Sequence, residues 1–243
     1  MTHTTLTILH NTPLAPGVFR LALTGLNPAE PLRPGQFVNL QIPGFFLRRP
    51  ISVCDAEGGE LTLIYKSVGE GTRVLSELKP GHTLDALTGL GSGYDLEKAG
   101  TAPLLIGGGA GIPPLYFLAK ELLRLGITPR VLLGFNTAAE CFYEAEFSAL
   151  GAETTLVTLE GSRGKKGFVT DHLPQDFTHF YACGPLPMLK ALCRATTAPG
   201  QLSLEERMGC GFGACMGCSI QTAQGPKRVC KDGPVFHREV LGW

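Results

Sequence analysis

Short apolar runs separated by glycine and proline occupy roughly the first hundred residues of the chain. The runs span residues 18–23, 36–42, 51–54 and 61–66, and the turns between and after them include Arg33-Pro34-Gly35 and Lys79-Pro80-Gly81. Short strands with turn signals at regular spacing are typical of a small antiparallel barrel. Residues 72–78 predict one short helix in the same region. We therefore expect a β-barrel domain over residues 1–98.

The pattern changes near residue 101 to strands that alternate with helices. Predicted strands cover residues 103–106, 130–134, 154–159 and 179–182, and predicted helices cover residues 114–125, 145–150 and 187–195. Alternation of this kind is typical of a parallel α/β sheet. We expect this second domain over residues 99–200 and a small third domain over residues 201–243.

The third segment contains a cysteine motif with C-x4-C-x2-C spacing. Cys210, Cys215 and Cys218 form the motif, and Cys230 follows it. This is the plant-type arrangement by which four thiolates hold a [2Fe–2S] cluster. The residues between the cysteines are mostly small and include three glycines, and such a loop can turn backbone N–H groups toward cluster sulfurs. The spacing therefore predicts these four cysteines as cluster ligands.

Structural zinc and disulfide bonds are two alternative roles for the cysteines. Four thiolates also bind structural zinc, although zinc sites usually consist of two separated pairs and do not call for a glycine-rich loop. Disulfides are disfavoured because residues 1–5 lack the basic and apolar regions of a signal peptide. A cytosolic chain keeps its thiols reduced. We expect a cytoplasmic location.

Two segments of the α/β region suit a dinucleotide. A glycine-rich turn follows the first strand, and a Cys-Gly-Pro turn ends the last one, where ligands bind in such sheets. The residues predicted to contact NAD are Gly107, Gly108, Gly109, Gly111, Cys183, Gly184 and Pro185. The turn departs from the standard fingerprint, because Ile112 stands at the position of the third glycine.

Cys183 and the second strand of this region refine that prediction. We expect Cys183 to line the nicotinamide pocket without a covalent role, because no histidine adjoins it in sequence; a plain buried thiol is the alternative. Residues 135–137, after the second strand, contain no arginine for a 2′-phosphate. This favours NAD over NADP.

Two stretches of the barrel region suit a phosphate group. Arg49 and Ser52 flank two apolar residues, and the arginine fork is matched to phosphate oxygens. Gly69-Glu70-Gly71-Thr72 opens the predicted helix, where backbone N–H groups favour an anion. The alternative is that Arg49 is a surface arginine and the glycines only form a turn.

Composition excludes several classes of function. The 243 residues include 21 Lys and Arg against 21 Asp and Glu, so the chain has no basic field for nucleic acid or an anionic membrane. No apolar run approaches the ~20 residues of a membrane-spanning helix. Charged residues make up 17% of the chain, which leaves room for an apolar surface covered by a partner.

The order of barrel, α/β domain and ferredoxin-type cysteines resembles the ferredoxin–NADP reductase superfamily. Within it, six segments resemble the electron-transfer subunits of B-type, NAD-linked dihydroorotate dehydrogenases. They are residues 49–52, 69–72, 107–114, 181–185, 207–218 and 227–236. The resemblance covers essentially the whole chain. Its most specific part is the cysteine segment together with the tail Lys231-Asp232-Gly233-Pro234-Val235-Phe236.

The resemblance implies three cofactors and a partner. It implies a [2Fe–2S] cluster on the four cysteines, NAD on the α/β domain, and an α2β2 heterotetramer with an FMN-containing catalytic subunit. It also implies FAD on the barrel, held by Arg49, Pro50, Ile51, Ser52, Ile64, Tyr65, Lys66, Gly71 and Thr72. Ile51 replaces an aromatic residue of the wider superfamily, so flavin stacking is expected from another residue such as Tyr65.

These cofactors together imply one function. A nicotinamide exchanges two electrons as hydride and a cluster exchanges one, so a flavin, which does both, belongs between them. We expect electrons to pass from the partner's FMN through the cluster and FAD to NAD⁺, with dihydroorotate oxidised on the partner, in pyrimidine biosynthesis. The alternatives are a subunit of a hydrogenase or of a ferredoxin–NADP transhydrogenase, and a zinc-stapled interaction module without catalytic activity.

Overall fold

Six antiparallel strands close into a barrel in the computed structural model, which describes residues 1–243. The strands are β1 (Thr2–Ala15), β2 (Val18–Thr24), β3 (Phe37–Leu40), β4 (Arg49–Glu57), β5 (Glu60–Lys66) and β6 (Thr83–Leu90). Their order around the barrel is β1-β2-β5-β4-β3-β6. The predicted barrel is therefore confirmed, with β1 and β6 as strands that the apolar runs had not indicated.

Alternation of side chains along the strands fills the barrel. In β3, Val38 and Leu40 are fully buried in the barrel core, while Phe37 belongs to a different apolar cluster. Successive side chains of a strand point to opposite faces, so Phe37 and Asn39 both point away from the barrel interior. The helix α1 (Glu70–Glu77) packs on the barrel through Leu75.

A seven-stranded sheet forms the second half of the molecule. Its elements and those around it are β7 (Pro103–Gly108), α2 (Pro113–Arg124), β8 (Arg130–Phe135), α3 (Glu144–Ala149), β9 (Glu153–Thr158), β10 (Lys165–Lys166), β11 (His179–Cys183), α4 (Leu186–Ala195), β12 (Gly200–Ser203), β13 (Ser219–Thr222), β14 (Gly225–Arg228), α5 (Val229–Asp232), β15 (Val235–His237) and α6 (Arg238–Leu241). The sheet order is β10-β9-β8-β7-β11-β12-β15. All neighbours are parallel except β15, which is antiparallel to β12. None of the helices is long and apolar enough to cross a bilayer.

The cysteine-bearing segment is inserted into this sheet. Ser203, at the end of β12, is the register partner of Val235, at the start of β15. Residues 204–234 therefore leave the sheet and return to it at adjacent positions. Within the segment, β13 and β14 pair as a separate hairpin. The third predicted segment thus supplies two strands to the sheet of the second.

The barrel and the sheet share an apolar core. Cys54 and Ile64 of the barrel lie in one buried cluster with Leu115 and Leu118 of α2. At the edge of this contact, Lys120 of α2 forms ion pairs of 2.7 Å with Asp55 and 3.0 Å with Glu57. Because packed cores resist deformation, this contact fixes the position of the barrel relative to the α/β sheet.

Candidate functional site

A cleft of about 700 Å³ opens at the carboxyl ends of the sheet strands. It is lined by Lys66, Gly108, Gly109, Ala110, Gly111, Gly134, Phe135, Asn136, Glu140, Leu159, Gly167, Phe168, Val169, Thr170, Gly184, Pro185, Pro187, Met188, Ala191 and Glu205. This edge is where doubly wound sheets bind ligands. Most predicted nucleotide residues, five of seven, line this one cleft.

Two of the predicted nucleotide residues lie behind the cleft wall. Gly107 packs under Ile112, and Cys183 is only 3% exposed. Burial raises the pKa of Cys183 to about 12, so its thiol is neutral at physiological pH. The backbone of Gly111 lies directly against that of Cys183, which brings the loops after β7 and β11 together. Cys183 thus does not line the cleft as expected, and its side chain matches the alternative of a plain buried thiol.

An acidic residue in the cleft was missed by the sequence reasoning. Glu140 accepts hydrogen bonds from the backbone N–H of Asn136 at 3.2 Å and from its side-chain amide at 3.0 Å. These contacts hold the carboxylate beside the carboxyl end of β8. A carboxylate at this edge is the group that accepts a ribose 2′-hydroxyl in many NAD sites. The signal was present as an acidic residue a few positions after a buried strand.

On the barrel, Arg49 and the start of α1 converge. The Arg49 guanidinium lies 4.9 Å from the centroid of the Phe45 ring, and its Nη1 donates to the carbonyl oxygen of Leu47 at 2.5 Å. A Cβ on Gly71 would lie 2.6 Å from Arg49 Nε, so only glycine allows this approach. Thr72 closes the turn by donating to the carbonyl oxygen of Gly69 at 2.9 Å. A cation and helix N–H groups thus face the same space, which suits a pyrophosphate.

The other predicted flavin residues differ in accessibility. Pro50 and Ser52 are half-buried on β4, whereas Ile51, Ile64 and Tyr65 are buried. The Tyr65 ring stacks on Phe19 with centroids 5.6 Å apart, and its hydroxyl donates to Asn11 at 3.0 Å. Phe19 therefore covers one face of the Tyr65 ring, and the flavin stacking expected of Tyr65 stays a prediction.

Lys66 connects the two predicted nucleotide sites. It ends β5, next to Tyr65, and its exposed side chain lines the same cleft as the glycine turn after β7. One predicted FAD residue therefore lines the same cleft as five of the predicted NAD residues.

The four motif cysteines form two pairs: the thiols of Cys210 and Cys215 are hydrogen-bonded to each other, and so are those of Cys218 and Cys230. The backbone N–H groups of Ala214 and Cys215 point at Cys210 Sγ, at 3.2 and 3.5 Å. The N–H of Cys230 points at Cys218 Sγ at 3.4 Å. No three His, Cys, Asp or Glu side chains of the chain lie close enough to surround a single metal ion. Two pairs of thiols suit the two irons of a [2Fe–2S] cluster better than one zinc ion.

The two pairs differ in their electrostatics. Desolvation acts to raise the pKa of Cys210, but N–H donors from Cys215, Phe212 and Ala214 outweigh it and lower that pKa to about 6. Burial raises the pKa of Cys230 to about 12, and the neighbouring Cys218 thiol adds to the effect. A bound cation would favour both thiolates. The N–H donors predicted from the glycine-rich sequence are therefore present on the Cys210 side.

Two polar contacts hold the loop between the cysteines. Arg228 donates to the carbonyl oxygen of Gly213 at 2.9 Å, and its own backbone N–H donates to Asp232 at 2.7 Å. From the barrel, the Asn39 side chain donates to the carbonyl oxygen of Cys210 at 3.1 Å. The loop over residues 209–218, here called the thiol loop, is therefore anchored to β3, the strand that pairs with the predicted flavin residues of β4.

Comparison with known proteins agrees with this geometry. Residues 105–194 match the oxidoreductase NAD-binding domain, and residues 205–242 match the iron–sulfur cluster binding domain of dihydroorotate dehydrogenase B. Among solved structures, the NADH-dependent reduced ferredoxin-NADP oxidoreductase superposes with a TM-score of 0.88 at 31% identity, covering 98% of this chain and 90% of that one. A ferredoxin NADP⁺ reductase from Neisseria gonorrhoeae shares the fold at a TM-score of 0.68 and 20% identity, covering 80% of this chain and 90% of that one. The barrel, the sheet and the cleft between them thus define an oxidoreductase of the ferredoxin–NADP reductase type.

Sequence relatives narrow that class. The electron transfer subunit of dihydroorotate dehydrogenase B (NAD(+)) from a Geobacillus species is 46% identical over 245 residues, covering 95% of each chain. The corresponding subunit from Fusobacterium nucleatum is 44% identical over 247 residues, again covering 95% of each. The chain belongs to the family of dihydroorotate dehydrogenase B electron transfer subunits, as the sequence resemblance predicted.

Proposed function

We propose that the chain passes electrons from the FMN of a catalytic subunit, through a [2Fe–2S] cluster and FAD, to NAD⁺. Dihydroorotate is then oxidised on that partner, in the synthesis of pyrimidine nucleotides. The observation that carries the proposal is the folding of the cysteine loop into two thiol pairs against the barrel strand β3. A zinc-stapled module would leave two features without a function: the cleft at the carboxyl ends of the sheet strands, and the site formed by Arg49 and the start of α1.

Each cofactor has a set of residues that suit it. The cluster would be held by the thiolates of Cys210, Cys215, Cys218 and Cys230. FAD, when bound, exchanges two electrons with a nicotinamide and single electrons with a cluster. The proposed FAD residues are Arg49, Pro50, Ile51, Ser52, Ile64, Tyr65, Lys66, Gly71 and Thr72, and the proposed NAD residues are Gly107, Gly108, Gly109, Gly111, Cys183, Gly184 and Pro185.

Within these sets, the residues have different tasks. Arg49 neutralises pyrophosphate charge, because its guanidinium contacts a carbonyl oxygen and a ring but no carboxylate. Buried Cys183 supports the floor of the cleft and keeps its proton. Glu140 accepts a hydrogen bond from a ribose hydroxyl and repels a 2′-phosphate, which selects NAD over NADP.

We propose an α2β2 assembly with the catalytic subunit. Large apolar side chains exposed near the thiol loop support a docking surface there: Phe212 is 42% exposed and Met216 is 55% exposed. The domain boundaries at residues 98/99 and 200/201 stay predictions, as does the cytoplasmic location.

A second candidate rests on the structural comparison. The NADH-dependent reduced ferredoxin-NADP oxidoreductase covers almost the whole chain at 31% identity. An electron-transfer subunit of such an oxidoreductase would work with a different partner. The higher identity of the dihydroorotate dehydrogenase relatives, 46%, favours the first assignment.

An anaerobic absorbance titration of the full chain separates these functions. NADH should bleach both flavin and cluster in the chain alone, whereas dihydroorotate should bleach them only when the co-purifying partner is present. If NADH reduces the chain but dihydroorotate fails even with that partner, the reductase survives and the pyrimidine assignment falls. Iron and acid-labile sulfide are measured on the same sample, and zinc in their place would refute the electron-transfer function.

The order of the cofactors is tested by Cys215→Ser. This variant should lose electron transfer from the partner but keep the reduction of an artificial acceptor by NADH, because that reaction needs only FAD. Loss of both activities in a folded, FAD-containing variant would contradict the proposed order.

A further inference from the structure

One polar side chain of the barrel reaches the thiol loop. Asn39 lies on β3 and is 1% exposed, and its Nδ2 donates to the carbonyl oxygen of Cys210, a residue 171 positions away in the chain. Its neighbours Val38 and Leu40 are also buried, but they face the apolar barrel core. Asn39 is therefore the point at which β3 contacts the backbone of a predicted cluster ligand.

The amide of Asn39 is only half satisfied. Its Oδ1 is buried and has no hydrogen-bond partner. The residue opposite Asn39 on β4 is Pro50, which has no backbone N–H to donate. A buried acceptor without a partner destabilises the fold. Within the chain, the hydrogen bond to the Cys210 carbonyl oxygen is therefore the contact that favours an amide at this position.

The loop is shaped to receive this amide. Gly211, which follows Cys210, has a φ of +81° and lies so close to Asn39 that a Cβ on it would overlap the amide nitrogen. Both the backbone conformation and the close approach require glycine. Asn39 and Gly211 therefore form a matched contact between the barrel and the loop.

The contact lies between two of the proposed cofactor sites. On one side is Cys210, and on the other is the strand pair β3–β4, where Pro50 faces Asn39 and Ser52 faces Phe37. A shift of the loop at Cys210 would change its separation from this strand pair. Transfer between two bound groups depends steeply on their relative position.

We propose that Asn39 is a positioning residue for electron transfer between the [2Fe–2S] cluster and FAD. The inference rests on the proposed function and adds to it the residue that fixes one cofactor site against the other. Asn39 touches neither the substrate nor a sulfur atom; it holds the Cys210 backbone on β3. In the reaction tested, NADH would give two electrons to bound FAD as hydride; the cluster of the same chain would accept one of them, and the other would stay on the flavin.

The test uses the full chain with FAD and cluster bound, mixed anaerobically with NADH in a stopped-flow instrument. Flavin reduction is followed by absorbance, and cluster reduction by electron paramagnetic resonance of rapidly frozen samples. In Asn39→Leu, we expect flavin reduction at the wild-type rate and cluster reduction slowed ~10-fold or more. Dithionite should still reduce the whole cluster in the variant, which shows that the cluster itself is intact.

Gln36→Leu is the matched control. Gln36 is a buried amide just before β3, but its Nε2 donates to the carbonyl oxygen of Gly91 at 3.1 Å instead of to the thiol loop. Its loss should leave the ratio of the two rates unchanged. Gly211→Ala approaches the same contact from the loop side and leaves the barrel sequence intact. It should slow cluster reduction in the way Asn39→Leu does, and it serves as the test if Asn39→Leu does not fold.

A second readout does not depend on turnover. Amide hydrogen exchange in residues 209–217 of the full chain should be faster in Asn39→Leu than in wild type and unchanged in Gln36→Leu. Unchanged cluster reduction in Asn39→Leu, or an equal slowing in Gln36→Leu, would overturn the inference while leaving the proposed function intact. A wild-type chain without iron would instead overturn the proposed function.

Discussion

Acid should destabilise this protein through one buried histidine. His179 begins β11 and is 4% exposed; its ring packs 4.8 Å from the Tyr181 ring, and its Nε2 lies 3.3 Å from the amide nitrogen of Gln201. Burial, reinforced by the positive field of His237, lowers the pKa of His179 from 6.5 to about 4, although Glu239 and Asp95 act in the opposite direction. The folded protein therefore holds this imidazole neutral.

The direction in which pH changes the free energy of unfolding follows from which state binds the proton. Between pH 6.5 and pH 4 the unfolded chain takes up a proton at His179 and the folded chain does not, so the free energy of unfolding falls as the pH falls through this window. A shift of one pKa unit corresponds to about 1.4 kcal/mol, which gives a full loss of about 3 kcal/mol below pH 4. At pH 5 the same relation gives about 2 kcal/mol. For a chain of this size, the loss of about 2 kcal/mol at pH 5 lowers Tm by about 4–8 °C.

The assay compares His179→Gln with wild type by calorimetry of the full, cofactor-containing chain at pH 7.5 and pH 5.0. The glutamine removes the titrating group, so the drop in Tm between the two pH values should be smaller by about 4–8 °C in the variant. The comparison uses differences between pH values and is unaffected by a uniform loss of stability. His82→Gln, at an exposed histidine on the turn before β6, is the matched control and should retain the wild-type drop. An equal drop in His179→Gln and wild type would refute the reasoning.

Three further substitutions test the nucleotide sites and the domain contact. Gly71→Val should displace the Arg49 guanidinium and weaken FAD binding about tenfold or more, seen as lost flavin absorbance per chain in equilibrium dialysis; retained affinity would contradict the pyrophosphate assignment. Glu140→Gln should reduce the preference for NADH over NADPH about tenfold in kcat/KM, and an unchanged ratio would remove Glu140 from cofactor selection. Lys120→Met leaves Asp55 without its ion-pair partner and should lower the free energy of unfolding by about 1–3 kcal/mol in urea melts, while NADH still reduces the flavin at the wild-type rate.

Local patterns predicted much of the fold because the signals lie in neighbouring residues. The apolar run at β7, the glycines after it and the amphipathic α2 are contiguous in sequence, and the parallel sheet followed from them. The first strand was missed because only Leu6 and Ile8 of β1 are fully buried, and its polar positions owe their order to pairing with β2 and β6. Such pairing joins distant segments and leaves no periodic signal in either one.

In the candidate site, too, features carried by neighbouring residues were predictable and features that join distant segments were not. The cysteine spacing predicted four ligands because the loop that carries three of them is continuous. The two-by-two pairing of the thiols, the carboxylate of Glu140 in the cleft and the contact of Asn39 with Cys210 all depend on how loops meet in space. The stacking of Tyr65 on Phe19 could not be predicted for a similar reason, because Phe19 comes from another strand of the barrel.

The insertion between β12 and β15 affects the order in which parts of the protein unfold. Because Ser203 and Val235 are register partners, residues 204–234 form a closed excursion whose two ends are already held together by the sheet. Opening this excursion need not separate the strands, so it can unfold as a cooperative unit of its own, at a lower free energy than the whole chain. Oxidative loss of the cluster would then leave a folded NADH-reducible flavoprotein, and its repair would require refolding of a single loop.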